Sequence, residues 1–244
     1  MGYHRAGFDE VVGVDIKPQK RYPFTFVQGD ALEYLRAHGQ EFDAIHASPP
    51  CQKYTTLRGM WNHKPDHPDL VDPTRDALEA IGKPWVIENV PGAPLRALLM
   101  LCGTMFGLAT ADGRAELRRH RYFELGFQLG VLQPHCQHGG PTVGVYGDGN
   151  GRDYRRNPVA VIGVYGGHGR DRRRKPPKTI GVYGHAGGSS AREFAQQFLT
   201  VERAQAMGID WMTGDELSQA IPPAYTEFIG RQLISALQNS GSAR

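Results

Sequence analysis

At 244 residues, with 40% hydrophobic and 22% charged side chains, the chain has room for one sizeable domain, or a domain plus a small lobe, in a soluble globular composition. Its three cysteines, Cys51, Cys102 and Cys136, are odd in number and irregularly spaced, which argues against a disulfide framework and for a reducing compartment. No apolar run reaches the roughly 18 residues of a membrane span, and the first residues lack a signal-peptide core, so the expectation is a cytoplasmic protein with no membrane partner.

In chain order, residues 10–15 read as a buried strand ending in Asp15, and 24–27 as a short strand followed by Gly29-Asp30. Residues 31–38 fit a helix closed by Gly39 as a left-handed C-terminal residue. A strand over 42–47 runs into Ser48-Pro49-Pro50-Cys51. A helix over 74–81 ends at Gly82, and a strand over 85–87 ends in Glu88-Asn89. Strands alternating with helices in this way predict an α/β fold, a doubly wound parallel sheet with helices on both faces.

The pattern changes between about 125 and 190, where glycines are frequent and helical periodicity is weak. Val143-Gly144-Val145-Tyr146-Gly147 recurs as Ile162-Gly163-Val164-Tyr165-Gly166 and as Ile180-Gly181-Val182-Tyr183-Gly184. Three such units predict strands of a small β lobe. Residues 141–178 hold nine Lys/Arg against three Asp, a net +6 that leaves −3 for the rest of a +3 chain. One basic segment on an acidic body suits a polyanion partner. Helices return after this segment. Ser190-Ala191-Arg192-Glu193 has a capping-box pattern, Thr200 can cap a helix ending at Gly208, and Pro222-Pro223 can open a last helix running toward Leu237.

Ligands of open α/β sheets bind at the carboxyl ends of strands, and Asp15, Asp30, Pro50-Cys51 and Glu88-Asn89 all fall at predicted strand ends. Two prolines hold the segment before Cys51 extended, which favours display of the thiol, although a lone cysteine is more often a packed residue. A thiolate and a carboxylic acid together solve one particular problem. Carbon 5 of cytosine is a poor nucleophile until a thiolate adds to carbon 6, and the addition is helped by a carboxylic acid at ring nitrogen 3.

These residues, in this order, resemble the cytosine-5 DNA methyltransferase family, particularly its short bacterial and phage forms, over nearly the whole chain. Gly2-Tyr3-His4-Arg5-Ala6-Gly7-Phe8 is similar to the tail of the first cofactor motif, Val14-Asp15-Ile16 to the second, and Gly29-Asp30-Ala31 to the third. Ser48-Pro49-Pro50-Cys51-Gln52 resembles the nucleophile loop, and Glu88-Asn89-Val90 the motif whose Glu faces the base. Arg119-His120-Arg121 with Phe123 resembles the Arg-x-Arg motif. Residues 199–204 resemble the motif that supports the recognition lobe, and Ala220-Ile221-Pro222-Pro223 the one that completes the cofactor pocket.

The resemblance implies a Rossmann-like domain binding S-adenosylmethionine, with a small, mostly β target-recognition lobe and double-stranded DNA as substrate, its cytosine flipped out of the duplex. Cys51, Glu88, Arg119 and Arg121 would be catalytic. Asp15, Ile16, Asp30, Ala31, Pro50, Gln219 and Ala220 would hold the cofactor. Gln52, Asn89, Arg170, Arg172, Arg173 and Arg174 would contact DNA. It also implies a monomer in a bacterial cell or phage-infected host, divided as 1–124 catalytic, 125–190 target recognition and 191–244 C-terminal helices.

Two features depart from the family pattern. Its opening strand and Phe-x-Gly-x-Gly-Gly turn do not occur in the sequence, so the catalytic part reads as N-terminally truncated with a weakened cofactor site. Ser218-Gln219-Ala220 also stands where Gly-Asn-Ser is usual. Two other readings follow: a DNA-binding remnant that takes no methyl donor, and a methyltransferase acting on tRNA. His135-Cys136-Gln137-His138 hints at a metal, but no fourth ligand is evident and the spacing fits no standard zinc pattern, so the expectation is loop packing without a metal.

Overall fold

The computed structural model describes residues 1–54, 68–96, 99–131, 135–139, 142–145, 180–182 and 199–241. Its helices are α1 (Gly2–Ala6), α2 (Ala31–His38), α3 (Val71–Ile81), α4 (Thr200–Met207), α5 (Gly214–Gln219) and α6 (Pro223–Gly241). Its strands are β1 (Val12–Asp15), β2 (Thr25–Gln28), β3 (Ile45–Ala47), β4 (Trp85–Asn89), β5 (Leu99–Leu101), β6 (Glu116–Leu117), β7 (Arg121–Leu125), β8 (Thr142–Val145) and β9 (Ile180–Val182). The chain is therefore α/β, as expected, with parallel and antiparallel pairs in its sheets.

β1 and β2 pair in parallel, Val12 opposite Thr25 and Asp15 opposite Gln28, so both strands end at the same edge. A second sheet has the order β3-β4-β7-β5. β3 and β4 are parallel, with Ala47 opposite Ile87, and β7 enters antiparallel between β4 and β5. Side chains alternate across a strand, and β4 shows the consequence. Trp85 and Ile87 pack with Leu78 of α3 on one face, whereas Val86 joins Leu99, Leu101, Phe123 and Tyr225, Ile229 and Leu233 of α6 on the other. Helices thus cover both faces of this sheet. α1 lies against α6, and a Cβ built on Gly230 would stand 2.7 Å from that of Ala6.

Several local expectations change. Gly39 does not end α2 in a left-handed turn; its φ is −58° and the chain continues into a 3-10 turn, Gly39–Glu41. The position is crowded, since a Cβ would lie 2.4 Å from Ile81 Cδ1 and that side chain would have to shift. Gly82, at φ 71°, does terminate α3 in the left-handed form. Thr200 is the first residue of α4 and not its cap; Leu199 holds the cap position, and its N–H donates to the Glu202 carboxylate at 2.6 Å. α5 was not anticipated, although Thr213-x-x-Glu216 is a capping-box pattern, and Glu216 accepts from the Thr213 N–H at 2.6 Å.

The third sheet has the order β6-β8-β9. The described parts of the first and third repeat units pair in parallel: Val143 with Ile180, Gly144 with Gly181, Val145 with Val182. The middle unit and the capping pattern at Ser190 lie outside the described residues. Among the described residues, no helix is long and apolar enough to cross a membrane.

Candidate active site

The register of β3 and β4 sets the geometry. With Ala47 opposite Ile87, the segment leaving β3 and the last residues of β4 emerge side by side. The sequence pattern ended β4 at Ile87, but the strand extends through Glu88 and Asn89, and both are buried. Asn89 holds the neighbouring segment: its Nδ2 donates to Pro49 O at 2.9 Å, and its Oδ1 accepts from the Val90 N–H at 2.9 Å. Pro49 is buried and Pro50 exposed, and Cys51 follows half-buried. A turn in which Tyr54 N donates to Cys51 O at 3.0 Å closes this stretch.

β7 brings the arginines. Glu88 sits opposite Phe123, which places Arg121 one diagonal step away on the same face. Arg121 Nε lies 3.0 Å from Glu88 Oε1. Arg119 is buried, its Nη2 donates to Ser218 O at 2.7 Å, and its carbonyl accepts from the Tyr225 hydroxyl at 2.6 Å. The C-terminal helices therefore fix the strand that pairs with Glu88.

Burial pushes the Glu88 carboxyl above the ordinary range, against the pull of Arg121, Arg119 and a hydrogen bond from Ser48. The Cys51 thiol is also raised; burial dominates, Arg121 opposes it and Glu88 adds to it. Thiol, carboxyl and guanidinium thus lie within electrostatic reach of one another.

Behind Glu88 runs a hydrogen-bonded chain that the sequence did not reveal. Tyr3 Oη lies 2.6 Å from His46 Nδ1, and His46 Nε2 lies 3.1 Å from Ser48 Oγ, which bonds Glu88. Burial lowers the His46 pKa to about 4, so this imidazole is neutral near pH 7. The one signal in the sequence was a polar His46 between Ile45 and Ala47 of a short strand.

The other expected site residues are more dispersed. Asp15 ends β1, where its Oδ1 accepts from Lys17 N at 2.8 Å and its Oδ2 from Gln19 Nε2 at 3.1 Å. The adjoining Ile16 is 68% exposed. Asp30 is the N-cap of α2, with Oδ1 accepting from Leu32 N at 2.8 Å and Glu33 N at 3.0 Å; Ala31 is exposed. Among the described residues, no strand pairing joins the β1–β2 sheet to the β3–β4 sheet. Gln219 is exposed and Ala220 half-buried at the end of α5. An ion pair between Arg21 and Glu216, at 3.0 Å, ties the β1–β2 connection to that helix. Gln52 is exposed beside Cys51. Arg170, Arg172, Arg173 and Arg174 lie outside the described residues.

No protein-family model matches this chain, and no curated protein does.

Proposed function

We propose that the chain is a DNA cytosine-5 methyltransferase using S-adenosylmethionine, with Cys51 as nucleophile and Glu88 as the acid at ring nitrogen 3. The observation that carries this reading is the convergence of a half-buried thiol, a buried carboxyl and an arginine bonded to that carboxyl, all at the end of two parallel strands.

We read the β1–β2 pair and the four-stranded sheet as two flanks of one doubly wound sheet, so that the ends of β1, β2, β3 and β4 share an edge. The β1–β2 edge suits an adenosine. An exposed Ile16 offers an apolar surface, and Asp15 and Asp30 flank it at the ends of adjacent strands. Capping uses Asp30 Oδ1 alone. When bound there, S-adenosylmethionine supplies the electrophilic methyl group that carbon 5 of the activated ring accepts.

The protein's own residues do the rest. The Cys51 thiol gives up its proton to solvent, and the thiolate so formed bonds to carbon 6 of the flipped cytosine. The electron pair displaced from the 5,6 double bond moves toward nitrogen 3, which takes a proton from Glu88. Burial favours the protonated form of Glu88 that this step needs. Arg121 then stabilises the carboxylate left behind at 3.0 Å. After carbon 5 has been methylated, its proton passes to solvent water, the electron pair left behind re-forms the 5,6 double bond as sulfur leaves carbon 6 as thiolate, and Glu88 recovers the nitrogen 3 proton.

The test is transfer of radiolabelled methyl groups to duplex DNA and, in parallel, to tRNA, followed by nucleoside analysis. Label should appear in 5-methyldeoxycytidine, vanish with Cys51→Ala and fall on the order of 100-fold with Glu88→Gln. Label confined to tRNA would replace the DNA substrate, and DNA binding without donor binding or transfer would leave a DNA-binding remnant.

A further inference from the structure

Cys102, His120, Cys136 and His138 come from three separate parts of the chain and converge on one point. Cys102 follows β5, His120 immediately precedes β7, and Cys136 and His138 lie in the segment after β7. One ligand atom from each lies within 4.8 Å of all the others. Cys102 Sγ is 3.4 Å from His138 Nε2, and Cys136 Sγ is 3.4 Å from His120 Nε2 and 2.5 Å from His138 Nε2.

We propose that these four residues form a closed, structural zinc site. A tetrahedron with metal–ligand bonds of about 2.0–2.3 Å places its ligand atoms roughly 3.3–3.8 Å apart, and two of the sulfur–nitrogen separations fall in that range. The donor set selects the metal. Two thiolates and two imidazoles, with no carboxylate among them, suit zinc and disfavour magnesium, calcium or manganese. Two thiolates also cancel the charge of the ion, which a site holding a fully buried Cys102 requires. Thr104 Oγ1 lies 3.3 Å from Cys102 Sγ and 3.7 Å from Cys136 Sγ, placed as an outer hydrogen-bonding partner of both sulfurs. Arg118, between β6 and β7, is paired with Glu116 at 2.5 Å. His138 is exposed and, with Thr104, Glu116 and Gln137, lines a cleft of about 540 Å³ through which an ion can enter. Four protein ligands leave no open coordination position, so the role is structural.

The site has a consequence for its neighbours. His120 stands between Arg119, bonded to Ser218 O, and Arg121, paired with Glu88. A metal at His120 fastens that strand to the end of β5 and to the segment after β7. His120 is thus a positioning residue for Arg121, a role that rests on the methyltransferase reading; the metal site itself does not.

The decisive experiment is metal analysis of the full chain purified from zinc-supplemented cells, with cobalt substitution followed by optical spectroscopy. One zinc per chain is expected, and the cobalt form should show sulfur-to-metal charge transfer and the visible bands of a tetrahedral site. His138→Ala, at an exposed position, should lose most of the zinc while still melting cooperatively, and chelation should lower the melting temperature of the wild type but not of this variant. The proposal is overturned if the folded wild type carries no zinc and cobalt gives no charge-transfer band. It is equally overturned if mass spectrometry finds a Cys102–Cys136 disulfide, or if His138→Ala keeps full zinc occupancy. Zinc bound without any effect of chelation on methyl transfer would remove only the positioning role of His120.

Discussion

A carboxyl group that is 7% exposed and 3.0 Å from a guanidinium is pulled in two directions. Burial holds the Glu88 proton on and Arg121 draws it off; burial prevails, and the shift is upward. The same balance governs Cys51, whose thiol is raised by burial and by the Glu88 charge while Arg121 opposes both. A test of this coupling needs no substrate. Alkylation of Cys51 by iodoacetamide, followed by peptide mass spectrometry across pH, should reach half its limiting rate above the ordinary thiol value of 9.0. Glu88→Gln removes a negative charge and frees Arg121 to act on the thiolate, so the midpoint should move to lower pH. An unchanged or higher midpoint would mean that the two groups do not share a site. At this scale the sequence was informative about Cys51 and Glu88, because each ends or nearly ends a predicted strand. Tyr3, His46 and Ser48 were not legible as a chain. Their contact spans 43 residues between Tyr3 and His46 and depends on how α1 lies against β3.

The elements show a similar division between local and distant causes. Strand–helix alternation over the first 90 residues was readable from apolar runs and the glycine after α3. The insertion of β7 between β4 and β5 was not, since it requires pairing across more than 30 residues. That insertion carries a buried ion pair. Arg75 of α3 donates through Nε and Nη2 to the Glu124 carboxylate at 2.7 and 2.8 Å, and the Arg96 N–H adds a third bond at 2.7 Å. Arg75→Ala would leave Glu124 buried without its guanidinium, and such a loss costs about 3–5 kcal/mol. Urea denaturation should show a destabilisation of that size, and a change within experimental error would mean that the pair does not lock α3 to β7. Gly39 and Gly82 teach the same lesson on a smaller scale. Both follow helices in the sequence, yet Gly82 takes a left-handed φ of 71° whereas Gly39 stays right-handed and lies close against Ile81; only the folded structure distinguishes them.

At the scale of the whole molecule, the α/β class was legible from patterning. Residues 143–145 and 180–182, from the first and third repeats, pair in a three-stranded sheet that also takes in β6, and that register was not readable from the sequence. The convergence of Cys102 and His120 on Cys136 and His138 was beyond sequence reading, because only Cys136 and His138 are neighbours in the chain and the other ligands arrive through the fold of β5 and β7. The central claim is that Cys51 attacks carbon 6 of cytosine, and it can be tested by trapping. In DNA carrying 5-fluorocytosine, fluorine cannot leave carbon 5 as a cation, so the sulfur–carbon 6 bond cannot break once carbon 5 is methylated. A protein–DNA adduct that survives denaturing electrophoresis should accumulate only with S-adenosylmethionine, map to Cys51, be absent in Cys51→Ala and form more slowly in Glu88→Gln. An adduct that persists in Cys51→Ala, or no adduct from wild-type protein that binds both donor and DNA, would contradict the account.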